Sequence, residues 1–146
     1  MTQPPTLPLI GWKERLDFPE WGIRRLRTKV DTGARTSALH VDRYEVIESP
    51  TGSMVSLTLD LHRPPGPREV TAPLVRLALV KSSNGACELR PVIAALIRLG
   101  PVRTRIELTL TNRSGMRFQL ILGRQALAGQ VVIDPSRAYL LPRGTR

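Results

Sequence analysis

Asp31-Thr32-Gly33 carries the residue types whose order and spacing could do chemistry in this chain. An Asp that leaves a strand into a tight Thr-Gly turn has its carboxylate held by backbone and hydroxyl donors. Two such carboxylates, brought face to face, share one proton and activate water. The ionised member takes a proton from the water as general base, and the protonated member polarises a scissile carbonyl and later protonates the leaving amine. The motif occurs once in 146 residues, so on this reading the second carboxylate comes from another copy of the chain. The bland alternative is a strand-ending turn closed by an Asx hydrogen bond, which Asp and Gly form in many proteins.

The surroundings favour the chemical reading. Leu26, Thr28 and Val30 alternate with Arg25, Arg27 and Lys29, which predicts a strand leading into Asp31. A second strand-like run follows at residues 36–41, and an apolar Leu120-Ile-Leu, a glycine and a short helical segment come late in the chain. In this arrangement Thr32 holds the turn, Gly33 lets the backbone approach a substrate, and Gly123 lets the late strand pack under the Asp31 loop.

Elements that must position the motif are mostly strands. Val55, Leu57, Leu59 and Leu61 alternate with polar residues, as do Val102, Thr104, Ile106, Leu108 and Leu110. Asn112-Arg-Ser-Gly115 predicts a hairpin turn, with Met116, Phe118, Leu120 and Leu122 returning beside the preceding strand. Ser82-Ser-Asn-Gly85 predicts a second turn, between runs at 75–80 and 88–93. Pro64-Pro-Gly-Pro67 breaks any strand and reads as an exposed loop. Residues 93–99 fit either a buried strand or a helical turn, while Arg124 to about Ala128, ended by Gly129, predicts a helix. Residues 1–6 and 142–146 read as tails around a single domain at 7–141. Many short strands at this length predict an all-β fold, a closed or folded-over β-barrel with one short helix near the C-terminus.

Composition bounds the partners. Hydrophobic residues make up 41% of the chain and aromatics 4%, so an aliphatic core is expected. Lys plus Arg number 22 against 12 for Asp plus Glu, a formal charge of +10 that favours an acidic partner. One cysteine, Cys87, excludes an internal disulfide, fits a reducing compartment and is expected to be a packed thiol. No basic-then-apolar leader and no membrane-length apolar run stand in the sequence, so the expectation is a cytoplasmic protein without a membrane partner.

Five blocks carry a family resemblance: Lys29-Val-Asp-Thr-Gly-Ala-Arg-Thr-Ser-Ala-Leu39, Val80-Lys-Ser-Ser-Asn-Gly85, Glu88-Leu-Arg-Pro-Val92, Leu110-Thr-Asn-Arg-Ser-Gly-Met116 and Leu122-Gly-Arg124. In this order they resemble the bacterial retropepsin-like aspartic peptidases once labelled ATP-dependent zinc proteases. The resemblance implies a barrel of the retropepsin type, a homodimer and an aspartic endopeptidase with Asp31, Thr32 and Gly33 at its catalytic turn. It implies support of that turn by Ala34, Gly123 and Arg124. Substrate contacts are expected from Arg35, Thr36, Ser37, Lys81, Ser82, Ser83, Asn84, Gly85 and Arg90. Relatives are associated with ATP-grasp enzymes that add glutamate tails to proteins, so the implied substrate is an acidic, glutamate-rich segment, with a functional link to such a ligase.

One position departs from the wider pattern. Many retropepsins carry an acidic residue two positions after the turn glycine, where it pairs with the late arginine; here that position is Arg35. Arg124 must then find another carboxylate, such as Asp42, Glu45 or Asp134, or the dimer is built differently. A freed Arg35 could hold an acidic substrate side chain.

Other chemistries find little support. His40, His62 and Cys87 are the only soft ligands and lack metal-site spacing, so neither metal nor cofactor is expected, and His40 reads as a half-buried strand residue. Gly-Arg-Gln-Ala lacks the Lys-Ser/Thr of a phosphate loop. Lys81-Ser-Ser-Asn-Gly85 reads equally as a plain hairpin or as a flap over a peptide backbone. The competing function is a non-catalytic basic β-barrel binding RNA or ribosomal components, against which stand the scarce aromatics for base stacking.

Overall fold

The computed structural model describes residues 6–81, 84–112 and 117–142. The alternating runs form strands, and six of them close a barrel: β2 (Lys13–Phe18), β3 (Ile23–Val30), β10 (Leu120–Leu122), β4 (Ser37–His40), β9 (Val102–Thr111) and β8 (Cys87–Leu99). The barrel shuts where Asp17 of β2 faces Arg98 of β8, and their side chains form an ion pair at 2.6 Å. Inward residues of these strands, among them Leu16, Leu26, Leu39, Ile97, Leu108 and Leu122, are buried in one apolar core. Residues 93–99 are part of β8, a strand.

β10 settles the placement of the late motif. It pairs in parallel with β3, Leu122 beside Val30, and antiparallel with β4, Leu120 beside Leu39. The expected hairpin between residues 102–110 and 116–122 is therefore not formed. The edge of β9 is taken by β4 in parallel register, Ser37 with Leu108 and His40 with Thr111. β10 instead fills the gap between β3 and β4. Residues 113–115 of the expected turn, and Met116 after it, lie outside the described residues.

From β8 the sheet continues as an arm through β7 (Arg68–Lys81), β6 (Gly52–Leu59) and β5 (Arg43–Ser49), each antiparallel to the last. β7, at 14 residues, reaches about 45 Å. Pro64 to Pro67 form the loop between β6 and β7, as expected from the proline run.

Two short strands, β1 (Leu9–Gly11) and β11 (Val132–Asp134), pair in parallel outside the barrel. Glu14 ties this region together. It is 1% exposed, and its carboxylate accepts N–H bonds from Gly11 (2.8 Å), Leu140 (2.7 Å) and Leu141 (3.3 Å). A buried carboxylate needs such donors, because without them its desolvation is unrecovered.

Candidate active site

Asp31 stands at the mouth of the barrel, where β3 ends. Its N–H donates to the Leu122 carbonyl at 2.9 Å, and its carbonyl accepts from Ala34 N–H at 3.1 Å. Gly33 N–H donates to Asp31 Oδ1 at 3.0 Å, so the half-buried carboxylate is aimed by its own turn. A Cβ at Gly33 would lie 3.2 Å from that oxygen. Thr32 and Gly33 are exposed.

The far side of the turn is sewn to α1 (Arg124–Leu127). Four successive carbonyls, those of residues 32–35, all accept hydrogen bonds from the first two residues of this helix. Arg124 Nη1 donates to the Thr32 and Gly33 carbonyls at 3.0 and 3.2 Å. Arg124 N–H donates to Ala34 at 2.8 Å and Gln125 N–H to Arg35 at 3.0 Å. The helix-start N–H groups, which have no partner within a helix, are thus satisfied by the loop. Arg124 finds backbone carbonyls, not the carboxylate of Asp42, Glu45 or Asp134 that the sequence suggested. A short loop passing over the helix start offers those carbonyls nearer than any acid.

Gly123 makes the crossing possible. A Cβ there would meet the Thr36 carbonyl oxygen at 2.4 Å, its carbon at 2.6 Å and the Ala34 oxygen at 2.9 Å, all backbone atoms. The Gly123 N–H donates to Ser37 Oγ at 3.0 Å. Ser37 is 3% exposed, so its hydroxyl is spent inside the loop and does not face solvent. Arg35 and Thr36 are exposed beside the turn, and among the described residues Arg35 has no carboxylate partner. Thr36, Ser37, Val92, Thr109 and Gln125 line a cavity of about 330 Å³ next to the loop.

The other expected substrate residues sit on the β7–β8 hairpin. The last β8–β9 pair is Val92 with Thr109, and residues 87–91 pair with β7 alone, so the hairpin projects past the barrel wall. Lys81 and Gly85 lie exposed at its end, Gly85 with φ +87°, and Asn84 Oδ1 accepts the Ala86 N–H at 3.0 Å. Ser82 and Ser83 fall outside the described residues. Arg90, 14% exposed, is held by Glu88 at 2.6 Å. Cys87 is exposed, contrary to the packed thiol expected, because this stretch of β8 has left the barrel.

His40 is half-buried in β4. Among the described residues no group of three His, Cys, Asp or Glu side chains is placed to hold a metal ion, and no helix is long and apolar enough to cross a membrane. Away from the loop, the Arg105 guanidinium holds the Glu20 carboxyl below its usual range, and the Ser136 hydroxyl and N–H do the same for Asp134.

Sequence reasoning missed Glu14. Its one signal is an inward position in the alternation Glu14, Leu16, Phe18, where a lone acid among apolar neighbours must find donors. It also missed a set of cations resting on aromatic rings: Lys13 on Trp12, Arg15 on Tyr139 and Arg27 on Phe118.

Comparison with known proteins agrees with this geometry. A crystal structure of a Legionella pneumophila protein of unknown function superposes with a TM-score of 0.79 at 26% identity, covering 92% of this chain and 98% of that one. Proteins named probable alpha-L-glutamate ligase from Shewanella pealeana and Desulfotalea psychrophila are 36% and 33% identical over 91% and 93% of this chain. The chain spans about 30% of the length of those relatives. The profile of the retropepsin-like aspartic endopeptidase RimB matches residues 9–144, across both halves of the Asp31 site, and the chain belongs to that RimB-like family.

Proposed function

We propose that the protein is an aspartic endopeptidase that works as a homodimer and cleaves acidic, glutamate-rich peptide segments. The observation that carries this reading is the Asp31 carboxylate, aimed by Gly33 N–H while the carbonyls of 32–35 are turned onto α1. That leaves an acid on a fixed support at the mouth of a barrel. With Asp31 of a second copy opposite, one carboxylate takes a proton from water as its oxygen attacks the scissile carbonyl. The other donates its proton to the departing amine as the C–N bond breaks. Exposed Leu9 and Val132, on strands next to the Asp31 end of β3, offer apolar surface for a second copy to cover.

The acidic substrate is supported by the +10 charge, by Arg35 beside the turn, and by relatives whose name concerns glutamate ligation. A ligase that appends glutamates makes a product that such a peptidase would trim, and in those relatives a region like this chain occupies part of a longer protein. Lys81, Asn84 and Gly85, at the exposed end of the β7–β8 hairpin, would close over the bound backbone as a flap.

The test is hydrolysis of a peptide carrying an oligoglutamate tail, followed by mass spectrometry. Asp31→Asn keeps an oxygen for the Gly33 N–H and should fold normally while losing roughly a thousandfold or more of the activity. Normal cleavage by a folded Asp31→Asn protein would remove the carboxylate from the mechanism.

A further inference from the structure

The outward face of β2 and β3 carries a pattern that the fold does not require. Lys13 lies opposite Lys29, and Arg15 opposite Arg27, on adjacent strands. Like charges directly opposite destabilise a sheet. No acid relieves them: among the described residues Lys13, Arg15, Arg27, Lys29, Arg63 and Arg117 have no carboxylate partner. The neighbouring acids are committed elsewhere. Asp17 bonds Arg98 and the Arg25 N–H, Asp60 accepts the His62 N–H and faces its ring at 3.6 Å, and Glu14 is buried on three backbone donors.

This face runs into a cavity of about 450 Å³ beside the start of β10, to which Arg25, Arg27, Arg63 and Arg117 contribute, with His40 and His62 also in its wall. The cations are positioned. Arg63 donates to the Arg24 and Arg25 carbonyls at a point where Arg25 has φ +57°. Arg27 Nε donates to Tyr139 Oη at 3.2 Å while its guanidinium lies 5.1 Å from the Phe118 ring. Arg15 lies 4.1 Å from the Tyr139 ring, and Lys13 4.7 Å from that of Trp12. A guanidinium laid on a ring keeps N–H groups at its edge for an anion. The same stacking covers aromatic faces that an RNA base would need, so the surface suits carboxylates better than unstacked bases.

We infer that this cationic face is an exosite that holds a carboxylate-rich polypeptide strand upstream of the Asp31 turn. An extended acidic chain repeats its same-side carboxylates at about 7 Å, the spacing of Arg27 and Lys29 on β3. Arg27 lies on β3 four residues before Asp31, which follows the strand's last residue, a span of about 13 Å, so only a chain longer than about five residues reaches both. The use of this exosite in cleavage rests on the peptidase reading; its binding of an acidic chain does not.

The experiment measures anisotropy of a fluorescein-labelled oligoglutamate of about ten residues on the Asp31→Asn protein. Arg27→Gln/Arg117→Gln should weaken binding about tenfold, equivalent to about 1.4 kcal/mol. Arg15→Gln/Lys29→Gln, which disturbs no backbone-anchored group, should do likewise and decides the matter if the first variant does not fold. With Asp31 restored, either variant should raise KM about tenfold for the long tail with kcat unchanged, and leave a triglutamate substrate unaffected. Equal affinity in folded variants overturns the exosite. So does tighter binding of single-stranded RNA that the same variants weaken, which would make the face a nucleic-acid site. Oligoglutamate that binds but is never cut sinks the peptidase reading alone; tails cut equally by all variants sink the exosite alone.

Discussion

The Asp31 loop and the β7–β8 hairpin are built on opposite principles. In the loop, the carbonyls of 32–35 all have donors, the Asp31 carboxylate has one, and the Gly123 N–H has Ser37. Beyond Val92 the hairpin keeps its ladder bonds, but Leu77, Leu79 and Leu89 are 51%, 69% and 58% exposed. One region spends its polar groups on itself and is fixed. The other leaves apolar side chains without cover, so it draws little stability from packing and suits a part that moves. On the peptidase reading, the fixed loop would hold the acid and the loosely packed hairpin would close over a bound peptide.

Breaking the rigid side should have the largest effect. Gly123→Ala puts a Cβ against backbone at 2.4 Å, and the loop must shift to admit it. Overpacking of this kind costs about 1–3 kcal/mol. Chemical denaturation should register that loss, and hydrolysis should fall further than stability alone explains, because the turn that aims Asp31 moves.

The hairpin should respond in the reverse way. Leu79→Ser removes an exposed side chain and should leave stability within about 0.5 kcal/mol. If the hairpin covers substrate, KM for the oligoglutamate peptide rises while the melting curve stays put. A large loss of stability would show that the hairpin is packed in solution and would erase the contrast.

The smallest effect is expected at Asp134, which lies outside both regions, at the end of β11. The Ser136 hydroxyl, at 2.6 Å, is the main cause of its lowered pKa, followed by the Ser136 N–H. A lowered folded-state value means that stability is present above the unfolded value and lost as pH falls through the folded one. Ser136→Ala should therefore melt slightly earlier than the parent at neutral pH, and the difference should fade in acid once Asp134 is protonated. A difference that is the same at both pH values would assign it to packing.

Much of the fixed region was legible in the sequence. Strand alternation into Asp31, the turn chemistry of Thr-Gly, and the apolar-Gly-Arg segment before a short helix are local signals, and each describes what its neighbours do. What failed was non-local. A three-residue apolar strand such as β10 has no period that names its partner, so the sequence points to the neighbouring β9 and carries no sign of the insertion between β3 and β4. The partners of Arg124 are backbone carbonyls, which side-chain chemistry does not advertise. Glu14 contradicts the apolar pattern of its own strand, and two of its donors lie at Leu140 and Leu141, at the other end of the chain. Cys87, a lone thiol with no redox partner in the sequence, reads as packed, and is exposed because β8 outruns the barrel.

On the dimer reading two copies of Asp31 make one site, and mixing active with inactive subunits puts this to the test. A fixed amount of active protein is titrated with folded Asp31→Asn protein, with native mass spectrometry reporting mixed dimers. Activity should fall as mixed dimers replace the parent dimer, because each holds one carboxylate. Activity that stays constant while mixed dimers accumulate, or that resides in a monomer, would contradict a shared site.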